Sequence, residues 1–366
     1  MAEALKSEAL ELEPEHELLT EPIKGVSLWQ DAWRRLRKNK MAMFGLVVVI
    51  LYAIVSLSAP ILPIHSYKRQ VMDHQYLPPS ITKSAGQLLL EKQENFFEAI
   101  AKRDGREGLS DDELSELAEL EVRVEAETIE IEGETIKVHE RRYPLGTDPL
   151  GRDLLARIIY GSQVSIAIGV IGTVTSVLIG IILGALAGYL GGKVDYIIMR
   201  VVDIMYGLPY MMLVIIFMAI FGRNILNLFF ALAIVSWLTV ARVVRGQIIS
   251  LKNAEFIEAA RSVGAGTPRI VFRHLVPNTL GVIVVFATLR IPTFIMLEAF
   301  LSFLGLGVQA PFASWGSLVG DGVEGMNLYP WRLFFPAIAM IIFLFSMNFL
   351  GDGLRDALDP QSKNRL

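Results

Sequence analysis

Six stretches of this chain are apolar and close to the ~20 residues that a helix needs to cross the hydrocarbon of a bilayer. They fall at roughly 41–62, 164–190, 204–221, 225–241, 279–303 and 333–350. Any one of them could be a buried helix of a soluble protein. Six together, in a chain that is 53% hydrophobic and only 20% charged, leave that reading untenable. The fold class expected is therefore an all-α integral membrane protein with six transmembrane helices. The fifth stretch is the weakest, because Arg290 and Glu298 interrupt it.

Charge orients the spans. Residues 1–26 are polar and acidic, too poor in apolar residues to fold alone, and read as a disordered tail. They lack the pattern of a cleaved signal peptide, so the first span at 41–62 is expected to remain as an anchor. Over 27–40, Leu28, Trp29, Ala32, Trp33 and Leu36 share a helix with the cluster Arg34, Arg35, Arg37, Lys38 and Lys40. That pattern suits an amphipathic helix on the cytoplasmic membrane surface, capped by Ser27. The excess of Lys and Arg there, and again in 242–280, predicts both termini in the cytoplasm and 63–163 outside. The stretch 91–142 holds 17 acidic against 8 basic residues. Glu91–Leu120 has helical composition broken near Gly105–Gly108, and Val122–Val138 alternates about Gly133 as a hairpin would. Residues 85–142 thus read as a small extracytoplasmic insertion, with a solvated charged loop as the alternative. Gly180, Gly184 and Gly188 form a small-residue stripe suited to close packing within the chain.

No enzyme is visible. None of the five histidines has a partner at metal-ligand spacing, and there are no cysteines, so neither a metal nor a catalytic residue is assigned. Gly192-Lys193 fails as a phosphate loop, because Val194 stands at the Ser/Thr position and Ala187 at the leading glycine. No cofactor is expected, and any ATP that drives the protein must bind elsewhere. A net charge of -4 gives no signature for nucleic acid.

The informative segment is 246–280. Glu258-Ala259-Ala260 precedes Gly264 by a short spacing, and His274-Leu275-Val276-Pro277-Asn278 follows. This predicts helix, turn, helix. Lys252–Val263 is helix-competent, Gly264 suits a left-handed end, Thr267 caps the next helix with Pro268 in its first turn, and Pro277 breaks it. A short structured connection, rich in Arg with a few Glu, suits docking on a soluble partner.

This pattern resembles the Glu-Ala-Ala loop of bacterial ABC importer permeases, in the dipeptide, oligopeptide and nickel branch, with His274 and Val276 departing from the usual residues. Other segments resemble the same branch. They are Ser27-Leu28-Trp29, then Leu145-Gly146-Thr147-Asp148 with Leu150-Gly151-Arg152-Asp153, Leu301 to Gly307, Ser314-Trp315-Gly316, and Gly351 to Pro360. The resemblance covers 27–62 and about 143–361. It implies the MetI-like fold of type I ABC importer permeases, with a five-helix core over 164–350 and a cytoplasmic tail at 351–366. It further implies a C-type permease that forms a heterodimer with a second homologous permease. Two ATP-binding subunits, an extracytoplasmic solute-binding protein and a di- or oligopeptide substrate complete the expectation, with nickel or another small solute as the alternative. Glu258, Ala259, Ala260, Gly264, Arg269, Arg273 and Pro277 are the implied coupling residues. A secondary transporter would instead show inverted repeats, and none is convincing here.

Arg290 and Glu298 lie eight residues apart and are expected to share a helix face. Ionisable groups at mid-membrane normally face a bundle interior or a wet path. They are read either as pathway or gate lining, or as a pair holding helices together.

Overall fold

The structure, a computed structural model, describes residues 27–62, 64–131 and 134–358. The acidic tail at 1–26 and residues 359–366 lie outside the described residues. A short helix α1 (Leu28–Lys38) leads through Asn39 into α2 (Lys40–Ser58). The Asn39 side chain accepts from the Met41 and Ala42 amides, so the kink between the two helices is also the N-cap of the second. Ser27 stands at the N-cap position of α1, but its side chain makes no capping bond. Ala32 and Leu36 are buried against the end of the last helix, whereas Trp29 and Trp33 stay exposed beside the arginines.

The insertion follows. It comprises α3 (Ala85–Arg103), α4 (Asp111–Ala126) and an antiparallel hairpin of β1 (Thr128–Ile131) and β2 (Glu134–Lys137). Both helices open on a capping box, Ser84 with Gln87 and Ser110 with Glu113. The expected alternation from Val122 is helical as far as Ala126, because α4 continues its own turn before the strand begins. Beneath the hairpin a line of buried rings joins the module together. Tyr143 Oη lies 2.8 Å from His74 Nδ1, and His74 Nε2 lies 2.9 Å from His139 Nδ1. Burial, and then the neighbouring His139 and Arg141, lowers the His74 pKa to about 3, so this imidazole is neutral.

The core is built from α5 (Leu154–Leu190), α6 (Gly192–Tyr206), α7 (Tyr210–Phe221), α8 (Ile225–Leu251), α9 (Glu255–Ser262), α10 (Thr267–Ile270), α11 (Val276–Phe303), α12 (Trp315–Val323) and α13 (Trp331–Leu358). Among the described residues, five helices are long and apolar enough to cross a membrane, α2, α5, α8, α13 and the run from Thr267 to Phe303. The expected span at 204–221 is instead a broken pair, α6 and α7, bent by 85°. Gly207, Leu208 and Pro209 explain the break. Proline offers no amide and drives the residue before it out of helical geometry. Residues 351–358, expected in a tail, continue α13, where Gly353 lies against Ala42 and Leu36. Outward faces carry large apolar side chains, among them Leu57 at 78% exposure, Phe230, Ile220 and Phe334, as a lipid-facing belt requires.

α5 is the central mast. Gly180, Gly184 and Gly188 all face α8, and a methyl group on Gly180 would sit 2.5 Å from Val240 Cβ. One on Gly188 would sit 2.8 Å from the Arg245 carbonyl oxygen. At the N-terminal end of α5, Asp148 accepts from Arg152 Nε at 2.6 Å and from Arg157 Nη1 at 2.7 Å, a buried cluster that ties the Gly-Thr-Asp segment to the helix. A leucine at Gly184 has no room, so Gly184→Leu should prevent accumulation of folded protein or lower its melting temperature in detergent by at least 5 °C. Gly246 lies in mid-helix with open space around it, so Gly246→Ala should be neutral or mildly stabilising. Equal melting temperatures for the two variants would show that the glycine stripe does not set the packing distance.

Candidate functional site

Two sites emerge, one at the inner end of the helix bundle implied by the charge distribution, the other within it. At the first, α8 ends at Leu251 and α9 starts at Glu255. The turn after α9 is closed by two backbone bonds, Ala265 N–H to Ala260 O at 3.0 Å and Gly264 N–H to Arg261 O at 2.9 Å. That is the Schellman arrangement, and it places Gly264 at φ +82°. Thr267, expected as a cap, is itself the first residue of α10, with Gly266 at the cap position. Pro277 does not break this segment. A π turn over Val271–Leu275 carries α10 directly into α11, and Val276 N–H donates to Val271 O. The wider turn absorbs the missing proline donor, while Asn278 Nδ2 donates to the His274 carbonyl at 2.6 Å.

This segment has two faces. Ile257, Ile270, Val271 and Leu275 are buried with Ala185 of α5 and Val240, Val244 and Ile248 of α8. The opposite face exposes Glu258, Ala259, Gly264, Arg269, Arg273 and Pro277, together with Phe256, Phe272 and Val263 at 89% exposure, while Ala260 is half-buried. Among the described residues, Glu258, Arg269 and Arg273 make no hydrogen bond or ion pair through their side chains. By contrast Arg245 pairs with Asp195 at 2.5 and 2.6 Å, and Arg242 with Asp203 at 2.5 Å, tying α6 to α8. A rigid apolar underside below unpaired charges and exposed rings is a surface built to be covered.

The second site is a cavity of about 450 Å³ at the α6–α7 break. Tyr206, Tyr210, Ser236, Thr239, Arg290 and Thr293 supply its polar lining. Arg290 Nη2 donates to the Ser236 carbonyl at 2.9 Å, its guanidinium lies 5.8 Å from the Phe294 ring, and its buried Nε has no partner. Glu298 is elsewhere. It is fully buried, with Oε1 accepting from Ser302 Oγ at 2.5 Å and Ser314 Oγ at 2.6 Å. The two residues therefore do not share a face. Eight residues at ~3.6 per turn overshoot two turns by nearly a quarter turn, which separates a cavity wall from a helix interface. Composition gave no hint of the tyrosines. The dipeptide Leu208-Pro209 was the available signal, since a span broken in mid-membrane needs protein or water around its free backbone groups.

A family described as "Binding-protein-dependent transport system inner membrane component" matches residues 180–364. "N-terminal TM domain of oligopeptide transport permease C" matches residues 27–79. The chain is 37% identical over 338 residues to the oligopeptide transport system permease protein OppC of Bacillus subtilis, covering 92% of this chain and 91% of that one. It is 38% identical over 337 residues to the dipeptide transport system permease protein DppC of the same organism, covering 92% and 87%. An inward-facing structure of the MetNI methionine ABC transporter aligns with a TM-score of 0.47 and 18% identity, over 56% of this chain and 98% of that one.

Glu298 joins α11 to the cap of α12 through its Oε1. Ser314 both caps α12 through Ser317 N–H at 3.0 Å and donates to Glu298, so Ser314→Ala should cost about 2 kcal/mol. In a Glu298→Leu background the same change should cost about 1 kcal/mol less, read from melting of the purified protein. Strict additivity of the two changes would remove that link.

Proposed function

Because this chain belongs to the binding-protein-dependent transport system inner membrane components, and is a multi-pass permease of the inner membrane, we propose that it carries di- or oligopeptides in an ATP-driven importer. The observation that carries the mechanism is the two-faced segment from Glu255 to Pro277. Family membership implies ATPase subunits and a binding protein as partners. In our reading two ATP-binding subunits cover the exposed face around Glu258 and Gly264, and a second homologous permease supplies the other half of the path. The relatives named for oligopeptides and for dipeptides match almost equally well, so peptide is the substrate class and its length is left to the binding protein.

Movement of the covered face is transmitted because its underside is packed into α5 and α8. α8 in turn carries Ser236, which holds Arg290 at the cavity. A displacement at α9 therefore reaches the cavity wall along one rigid helix. Arg290, with Tyr206 and Tyr210, offers a passing peptide hydrogen-bond donors and a positive charge. Glu298, buried away from this wall, keeps α11 and α12 together. The distribution of Lys and Arg supports an arrangement with both termini cytoplasmic, so that the insertion at 85–142 lies on the side of the binding protein.

Two experiments test this. A β-branched residue in a left-handed backbone is strained by about 1–2 kcal/mol. Nothing lies within 4 Å of the position, so backbone strain is the only penalty. Gly264→Val should leave insertion intact and weaken ATPase docking by roughly 5- to 30-fold, with loss of hydrolysis stimulated by the loaded binding protein. Gly264→Asn should retain most of both, and Glu258→Ala should fall between, since one exposed charge contributes at most about 1 kcal/mol. Normal stimulation in Gly264→Val would end the coupling assignment. For orientation, the chain has no cysteine of its own. Ser110→Cys should react with an impermeant maleimide on intact spheroplasts and Ser262→Cys only after lysis. The reverse pattern would invert the protein.

A further inference from the structure

The line of buried rings beneath the insertion ends at a place with the chemistry of a metal site. His139 is 2% exposed, and its Nε2 lies 3.0 Å from Glu127 Oε2. Asp73 stands beside them, and one ligand atom from each of Asp73, Glu127 and His139 falls within 4.8 Å of the others. We propose that these three residues bind a borderline divalent cation such as zinc, with water as the fourth ligand, at a site that clamps the insertion to the chain leaving the first span.

The donor set fits that ion. Imidazole nitrogen and carboxylate oxygen are both ligand types that zinc accepts, in sites of three protein ligands and one open position, whereas calcium and magnesium prefer oxygen alone. In a tetrahedral site with bonds of about 2.0–2.1 Å, neighbouring donor atoms lie about 3.3 Å apart. Glu127 and His139 already stand near that separation. Asp73 must close by an ångström or so from its exposed position in the 3-10 turn Met72–His74, whose last residue is the buried His74. Arg123 Nη2, 3.5 Å from Asp73 Oδ2 and more than half exposed, is the charge that a cation would displace. Arg141 is a further positive charge close to His74.

A ligand histidine is normally oriented by a partner on its other nitrogen. Here that partner is the fully buried His74, itself held by Tyr143. Without metal, the bonds run in one direction: Tyr143 O–H to His74 Nδ1, His74 Nε2–H to His139 Nδ1, His139 Nε2–H to Glu127. With metal on His139 Nε2 they run the other way: His139 Nδ1–H to His74 Nε2 and His74 Nδ1–H to Tyr143 Oη. Each imidazole keeps one proton and changes the nitrogen that bears it, so both states satisfy the buried atoms. The three ligands are far apart in sequence, at 73, 127 and 139, and chain spacing alone does not reveal them.

The test uses the full chain, purified through a histidine-free tag in detergent, stripped with a chelator and titrated with Zn²⁺. One equivalent should bind with a dissociation constant of 10 µM or tighter and raise the melting temperature. Asp73→Asn and Glu127→Gln, both at exposed side chains, should each weaken binding at least 10-fold, and His139→Gln should abolish it. His74→Phe should weaken binding 10- to 100-fold, an effect on a residue that never touches the ion. Absence of saturable zinc binding below 100 µM would overturn the proposal. So would binding that survives in the Asp73→Asn, Glu127→Gln double variant, whose fold is checked by circular dichroism.

Discussion

Close approach of α5 to α8 is the constraint on which the rest of the molecule depends. In lipid there is no hydrophobic force to drive helices together, so packing distance and shape decide association. Three glycines one turn apart let the α5 backbone lie against Val240, Ala241 and Arg245 of α8. Every other feature hangs on that pair. The segment from Glu255 to Pro277 packs beneath it, the cavity opens beside it at the α6–α7 break, and α12 locks onto the first turns of α5 through Trp315, whose indole donates to the Ile158 carbonyl. A looser pair would leave the segment from Glu255 to Pro277 and the cavity wall free to move separately.

Charge within the bundle is distributed with the same economy. The buried carboxylates each have partners, Asp148 in Arg152 and Arg157, and Glu298 through Oε1 in two serine hydroxyls, although Glu298 Oε2 has none. Among the described residues, Glu258 and Arg269 stand exposed with no side-chain partner, and Arg290 at the cavity bonds through Nη2 to the Ser236 carbonyl while its Nε has none. Removing one member of a buried pair strands the other at a cost of several kcal/mol, whereas an exposed unpaired charge costs little. Matched pairs therefore serve architecture, and unmatched charges are free for recognition.

Much of this was legible in the sequence. Spans are long and apolar, the signal that survives tertiary context best, and Gly264 was identified because a glycine after a helix-competent run has few other uses. Residues 204–221 were read as one helix because hydropathy averages over Gly207 and Pro209, and a single turn of broken backbone does not lower the average. The ends of α5 and α13 were placed too far inside for a related reason. Polar residues such as Arg157 and Asp352 lie on helices that project beyond the apolar zone, and an apolar window cannot follow them. Arg290 and Glu298 were assigned one face by counting residues. Their different roles came only from what each meets, a lined cavity in one case and the cap of α12 in the other.

The insertion illustrates a further limit. Its acidic composition suggested a solvated loop as readily as a folded unit, yet two capping boxes and a buried line of Tyr143, His74 and His139 give it an interior. That interior is small, with Leu77, Ala85, Leu88 and Tyr143 as its apolar part. A unit of this size buries too little apolar surface to be rigid on that account alone. Directional bonds between buried rings supply what area cannot, since a satisfied polar network holds its heavy atoms in one placement whichever way its protons run. The same requirement ties the module to the membrane part, because Thr147 in the turn before α5 donates to the His74 carbonyl at 2.5 Å and accepts from Leu77 N–H at 2.8 Å. The residue that positions the first long span of the core thus also fixes the histidine turn, and the insertion is joined to the permease by backbone geometry rather than by a flexible tether.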